Sequence, residues 1–79
     1  METYHKKIEI NPNIMLGKPV IKGTRIPVEI LVRKLGEGAS VDDILDAYPN
    51  LNKEDINAAL LFAAEHLGHE KLIYLKTGS

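Results

Sequence analysis

The stretch Ser40 to Ala64, "SVDDILDAYPNLNKEDINAALLFAA", contains two helix starts separated by a break. Ser40 followed by Asp43 is a weaker relative of the Ser-x-x-Glu capping box and predicts that a helix begins after Ser40. Pro49 ends this helix, because the residue before a proline is pushed out of the α region. Asn52 is a favourable N-cap for a further, longer helix. The stretch therefore predicts two amphipathic helices joined by a brief turn.

Apolar residues at helical spacing define the faces that these helices are expected to bury. The first helix of the pair has Val41, Ile44, Leu45 and Tyr48 on one face. The second has the predicted core stripe Ile56, Ala59, Leu60, Ala63 and Leu67. Gly68 follows this stripe and is the expected C-terminal stop.

A further helix is predicted upstream of this pair. Its apolar residues are Val28, Leu31, Val32 and Leu35, at i, i+3, i+4 and i+7. Pro27 fits its first turn, where a missing N–H costs nothing, and Gly36 or Gly38 fits its end.

The residues before this helix favour short β elements. "KKIEI" alternates and predicts a strand with Ile8 and Ile10 on one face. In "GKPVIKGTRIPV", Gly17 to Val28, the pieces Val20-Ile21 and Arg25-Ile26 flank Lys22-Gly23-Thr24. Gly23 accepts a positive φ without steric cost, so we predict a hairpin whose register stays open.

The chain of 79 residues is expected to form one domain. Its parts are a strand and hairpin in 1–27, three helices in 28–68 and a tail in 69–79. This is a mainly α fold, the layout of a three-helix helix-turn-helix bundle with a small N-terminal strand and β-hairpin. Three amphipathic helices of this size also form bundles that bind no nucleic acid, so function stays open at this point.

Composition excludes several classes of protein. There is no cysteine, hence no disulfide framework and no thiolate metal site, and a reducing cytoplasm is the expected location. The longest apolar run, "AALLFAA", is too short to span a bilayer. The net charge of −1 combines seven Lys or Arg against four acids in residues 1–40 with three against seven in residues 41–79. Only the first part is suited to face phosphate.

The candidate nucleic-acid-binding residues lie in two places. The start of the last helix offers Lys53 and Asn57, but Glu54 and Asp55 beside them repel phosphates. Most of the positive charge must therefore come from the hairpin and the first helix. The hairpin candidates are Lys18, Lys22, Thr24 and Arg25, and the helix adds Arg33 and Lys34. For Arg25, a structural role bridging helix-end carbonyls is an equal alternative.

Catalytic and metal-binding patterns are weak. Lys18 follows the first glycine rather than the second, which excludes a Walker phosphate loop. His66 and His69 could ligate a metal ion, with His5 or Glu70 as a third ligand. Histidines at the C-terminal end of a helix more often interact with the helix dipole. The acids Asp42, Asp43, Asp46, Glu54 and Asp55 are expected on solvent-facing sides of helices. No catalytic activity, cofactor or metal is expected.

The stretch "NPNIMLGKPVIKGTRIPVEILVRKLGEGASVDDILDAYPNLNKEDINAALLFAAEH" resembles the domain of unknown function family 433. The resemblance covers roughly residues 8 to 66, and "GKPVIKGTRIPV" is its specific element. It implies a homeodomain-like three-helix domain with a small β element, and a proposed role as a VapB-like antitoxin opposite a PIN-like nuclease toxin. The tail "HEKLIYLKTGS" departs from the family pattern.

The expected function is thus a non-enzymatic antitoxin that is dimeric or bound to its toxin and binds operator DNA for autoregulation. Cations inserted among the carboxylates of a nuclease site would block it, and the candidates are Lys22, Arg25, Lys71 and Lys76. The alternative is a stand-alone homodimeric transcription regulator with steeply salt-dependent DNA binding. A third class, a metal-binding or catalytic domain, requires zinc at His66 and His69.

Overall fold

A computed structural model describes the backbone of residues 6–78 and the side chains of residues 6–68. It contains two short strands, β1 (Ile8–Glu9) and β2 (Val20–Ile21), and a 3₁₀ turn at Met15–Gly17. Three helices follow, which are α1 (Val28–Gly36), α2 (Val41–Ala47) and α3 (Lys53–Gly78). The predicted class, a mainly α three-helix domain with a small β element, is confirmed.

The two strands form an antiparallel sheet in which Ile8 lies opposite Ile21 and Glu9 opposite Val20. The predicted turn after Ile21 is present, because the Thr24 N–H donates to the Ile21 carbonyl at 3.0 Å and Gly23 has φ +81°. Arg25-Ile26 does not form the expected second strand. The chain instead leaves the sheet after one bridge to Pro27, which has no N–H for a ladder and directly precedes α1.

Helix α1 has distinct start and stop signals. Pro27 is the N-cap (φ −68°, ψ 142°), one position before the predicted first turn. After Gly36, Gly38 adopts φ +106°, and its N–H donates to the Leu35 carbonyl at 3.1 Å. The Ala39 N–H donates to the Lys34 carbonyl at 3.0 Å. This Schellman motif confirms the predicted end, since it needs a left-handed residue that glycine supplies at low cost.

Helix α2 begins with the predicted capping box. The Asp43 N–H donates to Ser40 Oγ at 3.0 Å, and the Ser40 N–H donates to Asp43 Oδ2 at 3.0 Å. Two N–H groups that the helix itself leaves unpaired are satisfied in this way. The Ser40 backbone N–H, and then its hydroxyl, lower the pKa of the Asp43 carboxyl below its ordinary value.

Acid is therefore expected to weaken this cap. A carboxyl with a lowered pKa stabilises the fold above its unfolded-state pKa, and this contribution is lost as the pH falls through the folded-state value. Asp43→Asn should lower the urea midpoint at pH 7 but have a smaller effect at an acidic pH below the folded-state pKa, where the native carboxyl is protonated. An equal effect at both pH values would contradict this assignment. Asp42→Asn, an exposed neighbour in the same turn, is the control.

Helix α3 is longer than predicted. Asn52 is its N-cap, as expected, because its Oδ1 accepts from the Asp55 N–H at 2.9 Å. The prediction that Gly68 ends the helix is wrong, since the backbone is helical to Gly78 and the sequence 69–78 that was expected to form a tail belongs to α3. Gly68 has no positive φ among the described residues. A glycine inside a helix costs about 1 kcal/mol relative to alanine, which neighbouring helix formers offset.

The core lies where the three helices and β2 meet. Its buried members are Ile21, Val28, Leu31, Ile44, Leu51, Ile56 and Ala59. The predicted stripe of α3 is correct for Ile56 and Ala59, but Leu60 and Leu67 are 41 % and 63 % exposed. The helical periodicity of α3 predicted an apolar face that is wider than the part covered by α1 and α2. Phe62, which is not part of the predicted stripe, packs against the core.

Candidate interaction surfaces

The turn between β2 and α1 presents two cations on a well-fixed backbone. The Thr24 hydroxyl donates to the Ile21 carbonyl at 2.7 Å and accepts from the Ile26 N–H at 3.0 Å. Thr24 is thus a structural member of the turn. Lys22 and Arg25 are exposed, and within the described residues neither side chain has a carboxylate or carbonyl partner. The expected alternative of Arg25 bridging helix-end carbonyls has no counterpart among these residues.

This turn is linked to the start of α3 through Lys7. The Lys22 N–H donates to the Lys7 carbonyl at 2.7 Å, and Lys7 Nζ lies 3.3 Å from Asp55 Oδ1. The Asp55 Oδ2 atom accepts from the Asn52 N–H at 3.0 Å. Asp55 is only 9 % exposed, so the expectation that it faces solvent is wrong. The Asp55 carboxylate points inward because it accepts from the N-cap residue Asn52, and Lys7 neutralises its charge.

Lys18 belongs to a different group of charges. Its Nζ lies 3.3 Å from Glu29 Oε1, and Arg33 Nη2 lies 3.5 Å from Glu29 Oε2. These side chains are half exposed or more, and such pairs contribute little to stability. Lys18 is therefore already engaged with a carboxylate, unlike Lys22 and Arg25.

The other predicted binding residues are distributed along α3. Lys53, Glu54 and Asn57 are exposed near its start, as expected. Lys71 and Lys76 lie on its helical backbone, but their side chains are outside the described residues.

An apolar groove runs between α1 and α3, and sequence reasoning did not predict it. We call it the α1–α3 groove; its volume is about 500 Å³, and its apolar lining is Pro19, Val28, Val32, Phe62, Ala63 and Leu67. The polar residues at its edge are Glu29, Arg33 and His66. The sequence signal for it was Leu67, which the helical spacing marked as a residue to be buried.

The expected metal set is not assembled among the described residues, where no group of three His, Asp or Glu side chains is placed to hold an ion. His66 instead packs edge-on against Phe62, with ring centroids 4.4 Å apart. The side chains of His5, His69 and Glu70 lie outside the described residues.

Among the described residues, none of the helices combines the length and hydropathy that a membrane crossing requires.

The 3₁₀ turn before Lys18 is strained. Met15 and Leu16 have φ +50° and +58°, in the left-handed region that costs a non-glycine residue roughly 1–2 kcal/mol. Leu16 is 95 % exposed. No feature of the sequence alone singled out this residue.

Fold and surfaces together define a small three-helix domain with an apolar groove and with two exposed cations, Lys22 and Arg25, on a hydrogen-bonded turn. The chain belongs to the family described as "Protein of unknown function (DUF433)", which it matches over residues 8–63. The resemblance stated for the sequence is thereby confirmed at the level of the family.

Similar proteins give no further functional description. An uncharacterized protein of Sinorhizobium fredii is 40 % identical over 53 residues, covering 67 % of this chain but 24 % of its own. One of Archaeoglobus fulgidus is 54 % identical over 28 residues, covering 35 % of this chain and 78 % of its own. This chain thus spans about a quarter of the length of the first relative.

The fold is also similar to a solved structure. The crystal structure of a DUF433 member protein from Anabaena variabilis is 33 % identical and superposes with a TM-score of 0.74. The match covers 87 % of this chain and 67 % of the other.

Proposed function

We propose that this protein is a non-enzymatic antitoxin of the cytoplasm that neutralises a PIN-like nuclease toxin and binds DNA for autoregulation. The observation that carries the proposal is the pair Lys22 and Arg25, exposed and without a described partner on a turn that three hydrogen bonds fix. Side chains held on a rigid turn lose less entropy on binding than those on a mobile loop.

The chemistry of inhibition follows from charge. A PIN-like nuclease holds a divalent cation with carboxylates, and oxygen ligands of this kind also accept from lysine and arginine. A guanidinium or ammonium group inserted among them competes with the metal and closes the site to RNA. Arg25 suits this role best because its planar group binds a carboxylate through two parallel hydrogen bonds.

The test begins with the tagged protein purified from its native host at moderate salt, with identification of any stoichiometric partner by mass spectrometry. Affinity for that partner is then measured for the double variant Lys22→Ala, Arg25→Ala. We expect a loss of about 100-fold or more, in the range found for truncated interfacial charge pairs. Inhibition by this variant at wild-type affinity would remove the turn from the mechanism.

The chain offers a matched control. Lys18→Ala, Arg33→Ala removes the same net charge, but from side chains that already pair with Glu29. We expect a loss of less than about fivefold, the effect of screened surface charges. Equal losses in both double variants would indicate general electrostatic attraction instead of insertion at the turn.

A second candidate function is that of a stand-alone homodimeric DNA-binding regulator. Lys7 supports it, because its pairing with Asp55 removes one repulsive carboxylate from the start of α3 and links that start to the turn. This function predicts tight operator binding by the pure protein, falling steeply with salt. The antitoxin function instead predicts weak binding of operator DNA by the pure protein, with higher affinity when the toxin makes the complex bivalent.

A further inference from the structure

The first turn of α3 has two carboxylates in different environments. Asp55 is 9 % exposed, and its oxygens accept from Lys7 Nζ at 3.3 Å and from the Asn52 N–H at 3.0 Å. Glu54 is exposed, and among the described side chains no cation lies within ion-pair distance of it. Glu54 is therefore the carboxylate of this turn whose charge acts on an approaching ligand.

Glu54 lies between the two side chains of α3 that are suited to receive nucleic acid. Lys53 directly precedes it, and Asn57 follows it at i+3, a spacing that brings side chains to about 5–6 Å of each other on a helix. Both neighbours are exposed. A phosphate bound by either of them would lie within roughly 8 Å of the Glu54 carboxylate, which is about one Debye length at physiological salt.

We propose that Glu54 is a specificity residue that keeps nucleic-acid phosphates away from the start of α3. A like charge placed against a competing ligand gives selectivity without a contact to the preferred partner. Because Lys53 and Glu54 have opposite charges, the two side chains together contribute no net charge. This selectivity serves the proposed function, on which the inference rests, because it leaves Lys22 and Arg25 to a protein partner and keeps DNA binding by the pure protein weak.

The repulsion also affects nucleic acid that approaches the turn before α1. The Lys22 N–H donates to the Lys7 carbonyl at 2.7 Å, and Lys7 Nζ lies 3.3 Å from Asp55 Oδ1. Lys7 thus contacts both the turn and the start of α3. Since duplex DNA has one charge per about 1.7 Å of its axis, a duplex bound at the turn brings further phosphates towards Glu54.

The test is fluorescence anisotropy of a labelled DNA duplex of random sequence, titrated with the full chain at low and at high salt. We expect Glu54→Gln to raise the affinity about threefold and Glu54→Lys about tenfold, because each step removes one unit of repulsion across about 7 Å of water. Both gains should shrink at high salt, where the repulsion is screened. Glu54 is exposed, so both variants should keep the fold, as circular dichroism will show.

Glu65→Gln is the matched control, since it changes the net charge by the same amount as Glu54→Gln. Glu65 is exposed on the same helix, eleven residues further on, which is about 16 Å along the axis and beyond the Debye length. We therefore expect a gain of less than about twofold. An equal gain in the control would show an effect of total charge alone, and it would overturn the proposal. The absence of a gain in both Glu54 variants would do the same.

These measurements use DNA and the pure protein, and no nuclease is needed. If no nuclease copurifies but the Glu54 variants gain affinity for DNA, the proposed function fails and the role of Glu54 remains. If the nuclease is found and these variants gain nothing, only the role of Glu54 is refuted.

Discussion

Leu31→Ala is expected to lower the free energy of unfolding more than any other single substitution considered for this protein. Leu31 is fully buried in the core cluster formed by the helices and β2. Removing its branched end loses transfer free energy and leaves a cavity, together worth about 3 kcal/mol. At about 0.05–0.15 kcal/mol per residue, a chain of this length has a total stability of roughly 4–12 kcal/mol. One side chain is thus responsible for a large part of it.

Urea unfolding followed by circular dichroism, at one fixed protein concentration, measures this loss. The concentration is fixed because self-association would add to the apparent stability. Leu61→Ala is the control, since the same atoms are removed from a side chain that is 45 % exposed. We expect the control to cost less than about 1 kcal/mol. Similar midpoints for the two variants would contradict the assigned core.

Asp55→Ala is expected to have the second largest effect, a loss of about 2 kcal/mol. The carboxylate accepts from the Asn52 N–H at 3.0 Å and from Lys7 Nζ at 3.3 Å, and it lies in the first turn of α3. Alanine removes the acceptor from both donors and leaves the partly buried Lys7 ammonium without its partner. It also removes a negative charge from the positive end of the helix dipole.

Glu54→Ala separates these contributions. Glu54 lies in the same first turn but is exposed, so its removal should cost only a few tenths of a kcal/mol through the dipole. Lys7→Met combined with Asp55→Ala completes a double-mutant cycle that isolates the ion pair. Equal losses for Glu54→Ala and Asp55→Ala would show that the inward hydrogen bonds of Asp55 contribute nothing measurable.

Local signals predicted most of the fold. Ser40 and Asn52 as helix caps, the glycines after α1 and the turn at Gly23 were all readable, because each depends on a few adjacent residues. The partner of β2 was not predicted. Each strand has only two paired residues, which is too short for an alternating apolar pattern to reveal its partner. In addition, an irregular segment separates Ile8–Glu9 from Val20–Ile21.

The candidate surfaces were predicted less well than the fold. Exposure of Lys22 and Arg25 follows from composition, but burial of Asp55 depends on Lys7, 48 positions away. Helical periodicity identified Leu60 and Leu67 as apolar positions, yet it contains no information on how far the neighbouring helices reach. The positive φ of Leu16 was not predicted, because leucine has no preference for the left-handed region.

The uninterrupted α3 also fixes directions. Each residue of an α-helix rotates the chain by about 100° and advances it by about 1.5 Å. The backbone is helical from Lys53 through Gly68 to Gly78, so the core contact at Ile56 sets the angular phase of every later position. Deleting one residue near Gly68 would turn all following positions by about 100°, whereas deleting seven would return them to within about 20°. The packing of Ile56 in the core therefore sets the angular position of every later residue of α3 around the helix axis.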